Sequence, residues 1–251
     1  SIFLMLAVLL GGLAAYNAVA LPGVLNTGRA ELSVARVFKT LGEVVRDFLG
    51  KPGIWLSVLF IVLFRFAEGQ VQTIGPLFLI EARDAGGLGL TTEQVGGIYG
   101  TVGTGAFLVG SILGGYFTSW LSLRRAMPLL IVAMAIPNVV FYYLATTLPS
   151  DMWHIGVAVA IEMFGYGFGF VGMILYIMQV VAPGRFQTAH YALGSGVMQL
   201  GFIISKTMSG DIQMQMGYQS FFLWTIACGL PALALLFFVK FPQESSHVPG
   251  E

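Results

Sequence analysis

Four charged side chains stand inside long apolar runs of this chain: Arg65, Glu68, Glu162 and Lys206. Arg65, Glu68 and Gln72 are spaced i, i+3, i+7, which puts them on one face of a helix near the middle of its run. That face offers a guanidinium to an anionic group, with a carboxylate that either holds the guanidinium in place or exchanges with the solute. The structural alternative is that Arg65 and Glu68 neutralise each other and only fix helix packing. Glu162 has no basic residue within a turn, so its partner must come from another helix or it must hold a proton. Both carboxylates are therefore candidate proton-coupling groups, with Glu162 the stronger. Lys206 sits near the end of its run, as an ion-pair partner for one of them or as a side chain that snorkels to the surface. Asn138 and Gln179 are polar groups that either touch a solute or, like Gln199, hydrogen-bond between helices.

Catalytic and metal-binding patterns do not accompany these charges. His154, His190 and His247 fall at a run edge, a loop end and the tail. No H-E-x-x-H, no Cys/His cluster and no G-x-S-x-G elbow occurs, and Leu193-Gly194-Ser195-Gly196 is only a glycine-flanked serine. The single Cys228 excludes an internal disulfide. No enzyme activity, cofactor or metal is expected.

The elements that would position the charged groups are membrane helices. A chain that is 57% hydrophobic and 10% charged, with mean hydropathy +0.84, has too little polar surface to coat a soluble globule. Apolar runs at about 1–25, 54–80, 95–119, 126–148, 152–182, 187–209 and 218–241 mostly exceed the roughly 20 residues that cross a bilayer. A charge held in such a run costs about 2.5–3.5 kcal/mol on insertion scales, so it marks function by default. Zero net charge gives no argument for nucleic acid. The first run lacks a basic leading region and a cleavage site, so it reads as a span, and the chain is expected to begin inside a larger protein.

Residues 26–53 form the only long polar stretch. Val34, Phe38, Leu41, Val45 and Phe48 recur at helical spacing, opposite Arg36, Lys39, Glu43, Arg46 and Asp47. This predicts an amphipathic helix on the membrane surface or packed on the protein's own cytoplasmic face. If the stretch is cytoplasmic, Arg29, Arg36, Lys39, Arg46, Lys51, Arg124, Arg125, Arg185 and Lys240 all lie inside, and Arg83 is the one clearly external basic residue. The external loops are then 81–94, 146–151 and 210–218, and the tail 242–251 is cytoplasmic.

Glycines at four-residue spacing, Gly96, Gly100, Gly110 and Gly114 in the third run and Gly165 and Gly169 in the fifth, predict close helix packing. Gly167 to Gly172 matches G-x-G-x-x-G, but with no preceding strand it reads as packing and not as a nucleotide site. Gly75-Pro76 and Pro137-Asn138 are expected to break their helices, either beside a cavity or as packing kinks.

The order of elements resembles the last helix of the first half plus the second half of a major facilitator superfamily transporter. The segments more specifically resemble AmpG-type muropeptide permeases of the peptide and acetyl-coenzyme A transporter family. The resemblance is carried by Arg65 to Glu68, Leu121-Ser122-Leu123-Arg124-Arg125-Ala126, Asn138, Glu162 with Gly167 and Gly169, and Tyr191-Ala192-Leu193 with Ser195. Ser119 stands where the general superfamily motif has an acidic residue.

The resemblance implies an all-α polytopic bundle. It would comprise the last helix of an N-terminal half (1–25), a cytoplasmic linker (26–53), a six-helix domain (54–241) and a tail (242–251). It implies a proton-coupled secondary transporter in the bacterial inner membrane that moves a polar solute, such as a muropeptide or other sugar-peptide, by alternating access. Its partners would be the solute, protons, the lipid bilayer and the N-terminal half of the same protein, and not nucleic acid. Arg65, Glu68, Gln72, Asn138 and Gln179 would face the solute, and Glu162 with Glu68 would carry the proton. A non-transporting receptor or scaffold of the same fold, a sugar or drug permease, and a channel are the alternatives. The sparse polar residues do not form the continuous stripe a channel needs.

Overall fold

The computed structural model describes residues 2–20 and 34–241, and every regular element among them is helical. The parts of the sequence reading that fall on 21–33 and 242–251, including Arg29, His247 and the tail, lie outside the described residues. Among the described residues six helices are long and apolar enough to cross a membrane by length and composition.

The chain divides into two units, 1–42 and 43–251. In the first, α1 (Ile2–Ala20) exposes every side chain from Phe3 to Ala20. A helix that is apolar all round is at home only against lipid or other helices. Helix α2 (Val34–Leu49) begins in this unit, where Phe38 and Leu41 of the expected apolar stripe are exposed. Its last turns belong to the second unit, where Val44 and Phe48 are buried and Val45 is half-buried.

The second unit is a bundle of α3 (Ile54–Ile80), α4 (Thr92–Gly97), α5 (Thr104–Leu121), α6 (Leu123–Thr147), α7 (Met152–Tyr176) and α8 (Gln187–Leu235). A π turn, Ile98–Gly103, joins α4 to α5, so that the two make one span of 30 residues. A second π turn, Ile177–Val181, extends α7. Helix α4 starts with a reciprocal cap between Thr91 and Gln94.

Helix α8 runs 49 residues, about 74 Å if straight, against roughly 30 Å of hydrocarbon. It is not straight. Gly217 has non-helical backbone angles (φ 73°, ψ 167°). A Cβ on Gly69 would meet Ser205, while Trp224 Nε1 donates to Gln70 Oε1 at 3.1 Å. Ser205 and Trp224 would lie roughly 28 Å apart on a straight helix, yet they meet adjacent residues of α3. The helix therefore folds back at Gly217 into two arms, 187–216 and 218–235. Counting the arms separately gives the seven spans read from the sequence, but the expected loop 210–218 is helical up to Met216 and turns on one glycine.

The core is divided into two apolar clusters. One gathers Phe48, Phe60, Met127, Tyr176 and Leu236, and the other gathers Phe78, Leu88, Phe141, Val159 and Phe222. Arg46, Lys51, Arg124, Arg125, Arg185 and Lys240 lie on segments that enter the first cluster, and Arg83 lies at the opposite end. Arg83 has a structural task there, since its guanidinium donates to Leu148 O (3.0 Å) and Pro149 O (2.7 Å) at the end of α6.

Glycine packing centres on α7. A Cβ on Gly110 or Gly114 would come within 2.3 or 2.4 Å of the carbonyl oxygens of Phe164 and Phe168. Gly165 and Gly169 press on α6 at Ala133 and Leu130, and Gly167, about 200° round the helix from Gly165, presses on α5 at Phe107. The G-x-G-x-x-G match is thus a helix held on two sides. Gly96 and Gly100 depart from expectation, because nothing lies within 4 Å of a Cβ at either. The prolines do too: α3 continues through Pro76 and α6 through Pro137. Gly75 lies against the Phe141 ring, so the small residue before Pro76 admits an aromatic ring from α6.

Candidate functional site

The charged residues occupy the level between the two clusters. On α3 the first cluster ends at Phe64 and the second begins at Val71, leaving Arg65 and Glu68 in the gap. On α7 the gap holds Glu162 and Tyr166, and on α6 it holds Asn138. Helical spacing fixes which of these groups turn inward, and the apolar clusters above and below hold them there.

Arg65 and Glu68 form an ion pair, with 4% and 2% of their side chains exposed. The guanidinium carbon lies 4.3 Å from the Phe202 ring centroid, 4.9 Å from that of Phe170 and 6.0 Å from that of Tyr166. Aromatic faces from α7 and the 187–216 arm replace part of the lost hydration. Lys206 Nζ lies 5.0 Å from the same Phe202 ring, so this half-buried lysine stands beside the pair, within the electrostatic reach of Glu68.

Glu162 is 1% exposed. Its partner is Tyr99, whose hydroxyl donates to Oε2 at 3.0 Å. Glu68 lies within its electrostatic reach. With all three ionised, Arg65, Glu68 and Glu162 sum to one excess negative charge, and Lys206 is the nearby cation able to balance it. A bound proton would balance it equally well.

The other residues singled out in the sequence are distributed unevenly. Asn138 is 1% exposed, its Oδ1 has no hydrogen-bond partner, and with Glu68 it lines a cavity of about 190 Å³ between α3, α6 and the 218–235 arm. Gln72 is half-buried one turn beyond Glu68. Gln179 and Gln199 are exposed, and Gln179 lies in the π turn beyond α7, away from the charged level. Among the described residues no group of three or more His, Cys, Asp or Glu side chains could hold a metal ion.

Several polar contacts were not foreseen. Tyr99 itself is one, and Tyr176, which donates to Ser57 Oγ at 2.8 Å, is another. His190 is fully buried between Phe48 and Phe186, with Nε2 3.4 Å from Asp47 Oδ2. Lys51 donates to Val181 O (2.6 Å) and Pro183 O (2.7 Å), closing the end of α7. Partial burial lowers the Lys51 pKa, with Asp47 opposing the effect.

Sequence comparison bears on what this arrangement serves. No family model matches the chain. It is 28% identical over 214 residues to the anhydromuropeptide permease of Escherichia coli, covering 84% of this chain and 42% of that protein. It is 24% identical over 186 residues to putative transporter AmpG 1 of Rickettsia felis, covering 74% and 40%. Against putative transporter AmpG 4 of Rickettsia conorii it is 24% identical over 209 residues, covering 83% and 49%. The chain resembles the AmpG-type permeases. It spans less than half the length of these curated relatives. A match over 84% of the chain must take in the charged level of α3 and α7.

Proposed function

We propose that this bundle is one half of a proton-coupled secondary transporter that moves a polar sugar-peptide, such as an anhydromuropeptide, across a bacterial inner membrane. The carrying observation is the buried level shared by the Arg65–Glu68 ion pair and Glu162, with Glu68 within the electrostatic reach of Glu162. Such a cluster is expensive in a membrane and is kept where charge is moved. The permease names of the relatives supply the solute class.

Arg65 receives an anionic group of the solute, Glu68 holds Arg65 until the solute replaces it, and Glu162 takes and releases the proton. Gln72 and Asn138 flank the solute path. Residues 54–241 supply one half of the alternating-access pair and 1–25 the last helix of the other. The basic end of the bundle and the tail face the cytoplasm.

The test is uptake by the complete protein in liposomes, with radiolabelled anhydromuropeptide and an imposed proton gradient. Saturable, gradient-dependent accumulation supports the carrier. Unsaturated flux would indicate a channel, and binding without flux a receptor.

A further inference from the structure

Tyr99 reaches Glu162 from an irregular stretch of backbone. It is the second residue of the π turn Ile98–Gly103, and its carbonyl accepts from both the Thr104 amide and Thr104 Oγ1 (3.1 Å). An amide bonding five residues back is the mark of a π turn, which places one more residue in the turn than an α-helix would. Resolving that turn into α geometry shifts the register by one residue and rotates the stretch before it by about 100°. Tyr99 would then swing off Glu162.

Open glycines line one face of that stretch. A Cβ at Gly96, Gly97, Gly100 or Gly105 would meet nothing within 4 Å, whereas Gly110 and Gly114 farther along the same span are clamped against α7. One end of the span is clamped at its glycines; the other is held through Val95 and Ile98 in the second cluster and through Gly103 against Met163, with its open glycines on the remaining face. The π turn lies between them.

We propose that Tyr99 is a positioning residue for the proton at Glu162, and that the π turn Ile98–Gly103 is the element whose register engages or withdraws it. This rests on the reading of Glu162 as the proton carrier. The groups facing Glu162 are Tyr99 from the π turn and Glu68 from α3. Behind Glu68 stand Arg65 on its own helix, Tyr166 on α7 and Lys206 on the 187–216 arm. Tyr99 is the only one of these with a direct hydrogen bond to Glu162 among the described residues. A hydroxyl donor steadies a carboxylate and polarises the carbonyl of a carboxylic acid, so its arrival or departure changes how readily the proton moves.

The experiment is infrared difference spectroscopy on the purified complete protein, joined to uptake measured across pH. The carboxylic acid C=O band lost in Glu162→Gln identifies the group. In Tyr99→Phe, which keeps the ring, that band moves to higher wavenumber, and the pH of half-maximal uptake is displaced by about one unit, a tenfold change in proton occupancy. Thr104→Val, which removes the hydroxyl from the Tyr99 carbonyl, moves the band in the same direction by less. A Tyr99→Phe band and pH profile both coincident with wild type, or uptake lowered equally at every pH, overturns the proposal. Unchanged proton-driven uptake in Glu162→Gln overturns the carrier reading instead, and the band position in Tyr99→Phe still decides whether Tyr99 holds Glu162.

Discussion

Arg65 and Glu68 pair with each other across one turn of α3, whereas Glu162 on α7 has a tyrosine hydroxyl in place of a cation. The local pair is neutral in sum, and the additional carboxylate is where a mobile charge can reside. In the proposed carrier this separates holding from carrying.

Removing one member of the pair leaves the other charged, buried and unpaired. Arg65→Met should destabilise the bundle by about 3–5 kcal/mol, and the double change Arg65→Met with Glu68→Leu should recover most of that loss. Thermal unfolding in detergent measures both. A double variant no more stable than the single one would mean that Arg65 contributes through its aromatic neighbours and not through Glu68.

Glycines in the span 92–121 should respond according to what they touch. Gly114→Ala places a methyl group against the Phe168 carbonyl oxygen and should cost about 1–3 kcal/mol by overpacking, whereas Gly100→Ala meets nothing and should be neutral or mildly stabilising. The comparison is made by the same unfolding assay. Equal losses at the two positions would refute the close contact with α7.

Asp151 caps α7, accepting from the amides of Trp153 (3.4 Å) and His154 (3.3 Å), with His154 Nδ1 2.7 Å away. The His154 ring, with help from those two amides, holds the Asp151 carboxyl below the usual carboxylate range. A depressed folded value contributes stability that is present above the unfolded value of about 3.9 and is lost as pH falls through the lower folded one. Protection of the first-turn amides of α7 from hydrogen exchange should therefore be flat from neutral pH down to about pH 4 and fall below it. Asp151→Ala should show weak protection throughout, and protection that rises on acidification would contradict the cap.

The charged level was legible because ionised groups are conspicuous in apolar runs, and the spacing of Arg65 and Glu68 fixed their common face. Glu162 was legible by its isolation. Tyr99 was not, since a tyrosine in an apolar span is unremarkable, and its aim depends on a π turn that shifts helical register. The glycine- and threonine-rich stretch from Gly96 to Gly105 was the available signal. The sequence puts His190 at a loop end because the start of α8 carries no conventional cap, whereas its burial comes from Phe48 in a distant element. Residue type alone groups Gln179 with the site, and the π turn after α7 leaves it exposed. The seven runs anticipated the spans, yet Pro76 and Pro137 did not interrupt their helices, because continuous packing on both sides outweighs one lost backbone bond.

Proton-driven uptake and solute counterflow, measured side by side in the complete protein carrying Glu162→Gln, test the central claim most directly. The account predicts that accumulation driven by a proton gradient is abolished while exchange of labelled for unlabelled solute persists. Accumulation at the wild-type rate would contradict it.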